Sequence, residues 1–398
     1  MRSYREVLAV AAARNVLLLG ALVRIPYFAG SILLPVHVVQ TLHGSYAQAG
    51  LLATALTVCR AASGPWRGRL LDRLGLRRTI LPSIVIGGLC WAVAPFVGYG
   101  ALLGIAALAG LFEVPIFTVV RQAVIAVTTE QARKSALALE SVSIEAAFMI
   151  GPVIGIAATG AGSTRVVLFV IQMCLVLAGL LLWALNPPLR SNDSVDSAAI
   201  VPRRAWFGTE FVALCLGACA AVAVLGATEL AFVPAIRAFD AQRWLGVVLA
   251  LWGFGSLLGG LVYGALHRPI STYILLAWLG IVTVPMVFVN DTLTLALTGL
   301  LAGVFCAPTL TASVDQLSRI VPEGGRGEAM GWHGATMTLG QGIGSSMAGV
   351  VIDAGGYRAG FGGAAIVGIV CGVGLALIVA LVHRGRVRAA RVREVAVR

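Results

Sequence analysis

Three ionisable residues stand inside long apolar stretches of this sequence: Arg24, Glu113 and Glu145. A charge at the centre of a hydrocarbon layer costs at least ~2.5–3.5 kcal/mol, so each must face a partner or a cavity. One arginine against two acids leaves one carboxylate in excess. A carboxylic acid is cheaper to bury protonated than ionised. The surplus acid is therefore suited to take up a proton on one side of a barrier and release it on the other. Glu113 is the first candidate and Glu145 the second. The alternative is a structural ion pair between Arg24 and one acid, with Glu145 serving helix packing beside Gly151. Glu140 and Arg60 fall nearer the inner side, where they could brace a gate. His333 reads as a packing histidine, and Asp315 with Arg319 as a local pair one helical turn apart.

Other chemistry has little to stand on. The seven cysteines all lie in apolar runs, and no histidine or acid joins Cys215 and Cys219 at metal-ligand spacing. No metal centre is expected. No phosphate-binding loop and no nucleophile–base set is present, so neither an enzyme nor a bound cofactor is expected. With an excess acid suited to carry protons, the proton gradient is the expected energy source, a separate ATPase subunit being the alternative.

The elements that must position these groups follow from composition. Of 398 residues, 59% are hydrophobic and 12% charged, with 29 Lys+Arg against 17 Asp+Glu for a net charge of +12. A soluble domain carries about 25% charged residues, and a disordered chain would be polar. The chain must be polytopic in a membrane. A span needs roughly 20 apolar helical residues. Twelve are expected: Asn15–Val38, Tyr46–Pro65, Ile80–Phe96, Ala101–Val124, Ser135–Thr159, Val166–Leu185, Phe207–Pro234, Trp244–Gly264, Tyr273–Val289, Leu293–Leu317, Ala329–Val351 and Gly360–Val382. The basic residues cluster between alternate spans, at Arg67 to Arg78, Arg121 to Lys134, Arg203–Arg204 and Arg384 to Arg398. This is a topology signal that sets both termini in the cytoplasm. The basic tail suits anionic lipid headgroups, and no nucleic-acid partner is expected. A polar stretch between the sixth and seventh spans divides the chain into a six-helix bundle (1–186), a cytoplasmic loop (187–206), a second six-helix bundle (207–383) and a basic tail (384–398). Abundant Ala, Gly and Arg with a single Lys point to a GC-rich bacterial genome, hence a bacterial cytoplasmic membrane.

The loop after the second span reads Gly68-Arg69-Leu70-Leu71-Asp72-Arg73-Leu74-Gly75-Leu76-Arg77-Arg78. Its glycines permit close approach and unusual turns, its arginines hold it inside, and Asp72 can meet the positive end of a helix. On its own this is a solvated anchoring loop. The pattern Gly-x-x-x-Asp-Arg-x-Gly-x-Arg-Arg between spans two and three is similar to the cytoplasmic loop signature of the major facilitator superfamily. The whole chain resembles that superfamily, particularly its twelve-helix drug:proton antiporter branch. The resemblance implies an all-α fold of two pseudo-symmetric six-helix bundles. It implies that Gly68, Asp72, Arg73, Gly75, Arg77 and Arg78 form a conformational latch, with Asp72 bracing the start of the eleventh span near Glu328. The corresponding stretch of the second half, Gly259 to Arg268, keeps glycines and lacks the acid. Gly151, Pro152 and Gly155 resemble an antiporter packing motif, with Gly340, Gly342, Gly344 and Gly349 as its counterpart. An arginine that family members often carry early in span four is replaced here by about Ala106, so that coupling arrangement is not carried over.

In this family spans one, four, seven and ten line a cavity at mid-depth. That makes Arg24, Tyr27, Phe28 and Ser31 candidates, with Glu113 and Phe117, Glu229 and Phe232, and Phe305. A cavity rich in acids suits cationic or lipophilic solutes, a preference that Arg24 partly cancels. The expected function is proton-coupled export of a small organic or amphipathic compound by a monomer working through alternating access. The alternatives are a sugar or metabolite permease, or a non-transporting membrane protein on the same fold.

Overall fold

The computed structural model describes residues 2–44, 46–159, 162–189, 201–241, 244–266 and 268–396. The polar stretch expected between the two bundles falls mostly outside them, and side chains beyond residue 382 are likewise outside the description. The described chain is helical throughout: α1 (Arg2–Ala9), α2 (Ala11–Val36), α3 (Tyr46–Val93), α4 (Tyr99–Leu111), α5 (Ile116–Ala126), α6 (Glu130–Thr159), α7 (Thr164–Leu185), α8 (Thr209–Ala238), α9 (Leu245–Ala265), α10 (Thr272–Thr283), α11 (Thr292–Gly303), α12 (Cys306–Ile320) and α13 (Arg326–Ala396).

Two rods are too long for one crossing. The 48-residue α3 turns at Gly75, whose φ of 74° lies where a side chain would be strained. The 71-residue α13 turns at Gly355 and Gly356, the latter with φ 70°. Among the described residues, nine apolar helical stretches are long enough to span, two of them these bent rods, and Thr272–Phe288 is a shorter apolar helix. Counting each bent rod as two passes gives the twelve expected crossings. The exterior agrees: Leu18, Leu22, Val153, Leu177, Val262, Phe288 and Val350 are all well exposed. Apolar surface on that scale is stable only against lipid. The polar side chains go inward instead, with Arg24, Arg67, Glu140, Asp315 and His333 at 5% exposure or less.

Two expected spans are not continuous. The fourth breaks between Leu111 and Ile116, where Pro115 disfavours helical backbone at Val114 and has no N–H to give. The tenth breaks between Gly303 and Cys306. Pro308 there has no N–H to offer the carbonyl of residue 304, and it falls in the first turn of α12, where that missing donor costs least. The first span also starts differently. A short helix, α1, precedes it, bends at Val10 and buries Val7.

The contacts divide the chain into two compact units: Met1–Pro202 with Val321–Ala335, and Arg203–Ile320 with Thr336–Arg398. The start of α13 thus belongs with the first unit, because its backbone lies directly on that of α3. In the first unit, α2 runs along α6. A Cβ on Gly151 would meet Phe28 Cβ at 2.8 Å and the Ile25 carbonyl at 2.9 Å, and one on Gly155 the Ala29 carbonyl at 3.1 Å. In the second unit, α13 lies on α8 in the same way, with Gly340 against the Cys219 backbone and Gly344 against Ala223. Close backbone approach through small residues is how helices associate in lipid.

Candidate functional site

The first unit gathers four arginines and two glutamates, Glu113 and Glu140, into two neighbouring groups. Arg24, near the middle of α2, is 0% exposed and donates from Nη2 to Glu140 Oε1 on α6. Arg121 on α5 places its Nε 3.5 Å from Glu140 Oε2. Glu140 is thus shared by two guanidinium groups. The Arg24 guanidinium also lies over the Phe117 ring, 5.2 Å from its centroid. Edge-to-face contacts connect Phe117 to Tyr27 and Phe28, and Phe28 to Phe148.

The second group is built on the break in the fourth span. Glu113 sits in the unwound segment and pairs through Oε2 with Arg60 of α3. Arg60 lies 5.1 Å over the Tyr27 ring and reaches the Tyr27 hydroxyl at 3.4 Å. Glu113 Oε1 is buried and makes no hydrogen bond within the protein. Backbone groups freed by a break in lipid must be satisfied by side chains. Arg67 supplies this, donating to the Leu111 carbonyl at 3.5 Å, the Thr79 carbonyl at 3.3 Å and the Ser83 hydroxyl. Ser63 adds a bond to the Gly110 carbonyl at 3.4 Å. A recess lined by Ser83, Gly87, Trp91, Phe112, Glu113 and Gly179 lies beside the break.

These pairings correct the charge arithmetic of the sequence. Arg24 meets Glu140 rather than Glu113 or Glu145, and Glu113 meets Arg60. Glu140 and Arg60, expected nearer the inner side as gate braces, are the partners of Arg24 and Glu113, a pairing hidden because helix rotation is invisible in a run that is apolar on every face. With Arg67 and Arg121 included, the net charge of these two groups is positive rather than negative.

The loop residues sit as follows. The Asp72 carboxylate accepts the Gly327 N–H at Oδ1 and the Glu328 N–H at Oδ2, each at 2.8 Å. It thereby caps the amino end of α13. A Cβ on Gly68 would collide with the Gly327 backbone, so only glycine allows this approach. Arg69 reaches Glu328 at 3.8 Å. Arg77 donates to the Trp183 and Ala184 carbonyls at 3.1 Å each and lies over the Trp183 ring, tying the loop to the end of α7. Arg73 and Arg78 are exposed.

The second unit is poorer in charge. Glu229 is exposed on α8. Phe232 is not a cavity residue: at 0% exposure it is packed between Trp252 and Phe361 in the core. Phe305 lies in the break of the tenth span and stacks on Trp278 at 6.2 Å. Ser31 is exposed, and its hydroxyl donates to the Phe28 carbonyl one turn back. Asp315 bonds Arg319 at 3.1 Å, as its spacing suggested.

Comparison with protein families gives one match, to the model described as Major Facilitator Superfamily, over residues 16–274 and 214–396. The chain belongs to the Major Facilitator Superfamily. It is therefore a multi-pass membrane protein of a transporter family. Three solved structures of similar shape are the human organic anion transporter MFSD10 (TETRAN), a bacterial homologue of the iron transporter ferroportin in its outward-facing state, and FucP, the E. coli fucose:proton symporter, in its outward conformation. Their TM-scores are 0.70, 0.69 and 0.68, and their identities 16%, 15% and 17%. They cover 94%, 92% and 94% of this chain and 99% of each of theirs. Likeness at this level establishes the fold and leaves the cargo open. Comparison with curated protein sequences gives no match.

Proposed function

We propose that this superfamily member is a proton-coupled secondary transporter that exports a small organic or amphipathic compound by alternating access. It would work as a monomer in a bacterial cytoplasmic membrane with both termini inside. One observation carries the coupling. Glu113 lies in a broken helix at membrane depth, with one oxygen held by Arg60 and the other buried without a partner. A proton on that free oxygen removes the charge that binds Arg60. Protonation would thus release the Arg60–Tyr27 corner, while loss of the proton would restore it. Glu140 is less suited, because both its oxygens face arginines. Broken helices at mid-membrane are also where secondary transporters place ion and substrate groups.

The export direction is supported by the Gly151–Gly155 seam and its resemblance to antiporters. The test is a proteoliposome screen of chemically varied solutes under an imposed pH gradient, followed by counterflow. The reading requires solute-dependent proton flux. Solute exchange that ignores the gradient leaves a uniporter and removes the coupling. No exchange by intact protein across the panel removes the transporter reading itself.

A further inference from the structure

Arg24, Arg121 and Glu140 together carry one net positive charge in the interior of the first unit. Arg24 is fully buried, yet its Nε and Nη1 make no hydrogen bond within the protein. Arg121 Nε is buried too, 3.5 Å from Glu140 Oε2 and outside hydrogen-bond geometry. A guanidinium is a set of donors with no acceptor. Leaving its N–H groups bare in a low-dielectric interior is costly, and an uncompensated charge more so. A purely structural ion pair would be one to one and satisfied. Here two cations lean on one acid. His333 of α13 is buried nearby and brings no negative charge. Ser143, three residues along α6 from Glu140, has a buried hydroxyl with no partner. The flank is aromatic, with Phe117 under the Arg24 guanidinium and Tyr27 and Phe28 against Phe117.

The geometry points to an organic monoanion as the cargo, its carboxylate or sulfonate taken by the unpaired N–H groups of Arg24 beside the Arg121 guanidinium and its apolar body by Tyr27, Phe28 and Phe117. One negative charge neutralises the centre, and planar guanidinium groups are the usual means of holding such oxyanions. Arg24 is sealed in this conformation, so the anion reaches it in another state of the transport cycle. This inference rests on the transporter reading and names the class of solute.

The experiment uses the full-length protein in proteoliposomes. Benzenesulfonate is the probe, because it stays charged at every working pH and leaks slowly. Benzyltrimethylammonium is its cationic counterpart. Benzenesulfonate counterflow is expected, with little exchange of the cation. Arg121→Gln is expected to lower benzenesulfonate exchange at least tenfold, and Arg121→Lys to restore part of it. Arg24→Gln should act likewise. Because it alters a fully buried group, it is read together with a second measurement: benzenesulfonate should raise the thermal midpoint of the wild-type protein and not that of either Gln variant. Exchange of the cation without the sulfonate refutes the anion assignment and leaves a transporter. A sulfonate that neither exchanges nor shifts the midpoint also refutes it, whatever solute the wider screen finds.

Discussion

Replacing Asp72 with asparagine isolates what its charge does for the start of α13. Both oxygens accept backbone N–H groups at 2.8 Å. Hydrogen bonds to a charged group contribute about 1.5–3 kcal/mol each, and a carboxylate at a helix amino end adds about 0.3–1 kcal/mol. Asparagine keeps the shape and one acceptor oxygen. It loses the second bond and the charge; counting the lost bond alone, about 1.5–3 kcal/mol of local stability should go. At 1.4 kcal/mol per factor of ten, that is a roughly 10- to 150-fold rise in the open population. Hydrogen exchange of the peptide spanning Gly327 and Glu328 reads this directly, because those amides are the donors. Exchange there should quicken by that factor, while amides of the α9 core stay as they were. Unchanged exchange at Gly327 and Glu328 would refute the capping argument, and with it the latch assigned to the loop. If the latch also biases the access states, cysteine labelling from the two sides of the membrane will shift in the same variant.

Other perturbations probe separate parts of the account. Gly259→Ala should cost roughly 1–3 kcal/mol in unfolding measurements, because its new Cβ would meet the Val304 carbonyl. Gly253→Ala, whose position is open, should be neutral or stabilising. Arg67→Met should destabilise the first unit by about 2–4 kcal/mol by stripping the Leu111 and Thr79 carbonyls of their buried donor, and Arg67→Lys should recover part of that in the same thermal assay. Asp291 caps α11 by accepting from the Thr294 N–H at 2.9 Å and hydroxyl at 2.8 Å, which hold its carboxyl below the ordinary aspartate value. Its contribution is therefore complete above the ordinary aspartate range and lost as pH falls through the lowered value. The stability gap between wild type and Asp291→Asn should close over that acid window and stay constant from pH 5 to 8.

The fold was legible because lipid imposes a blunt rule. Backbone groups need internal partners, so every crossing announces itself as a long apolar helix. The loop motif was legible for a different reason. Gly68 and Asp72 act through backbone contacts, which tolerate few substitutes. The charge pairs were not legible. Arg24 finds Glu140 rather than Glu113 because of how α2 and α6 are rotated about their axes, and helices apolar on nearly every face give no phase from which to read that rotation. Phe232 was misplaced for the same reason. The two breaks had a signal in Pro115 and Pro308, but hydropathy averaged over a span is blind to a missing N–H. The break matters most for chemistry, since it turns Glu113 from one residue on a helix face into the centre of an unwound turn.

The central claim is that the Glu113 carboxylate is the group through which protons and solute are coupled. The most direct measurement is solute-triggered proton movement in proteoliposomes carrying an internal pH indicator, with wild type and Glu113→Gln at equal incorporation and equal thermal stability. If Glu113 couples the two fluxes, adding a transported solute to wild type gives a proton signal that is absent in Glu113→Gln even where solute exchange at zero gradient survives. A Glu113→Gln protein that couples proton and solute as wild type does would contradict it.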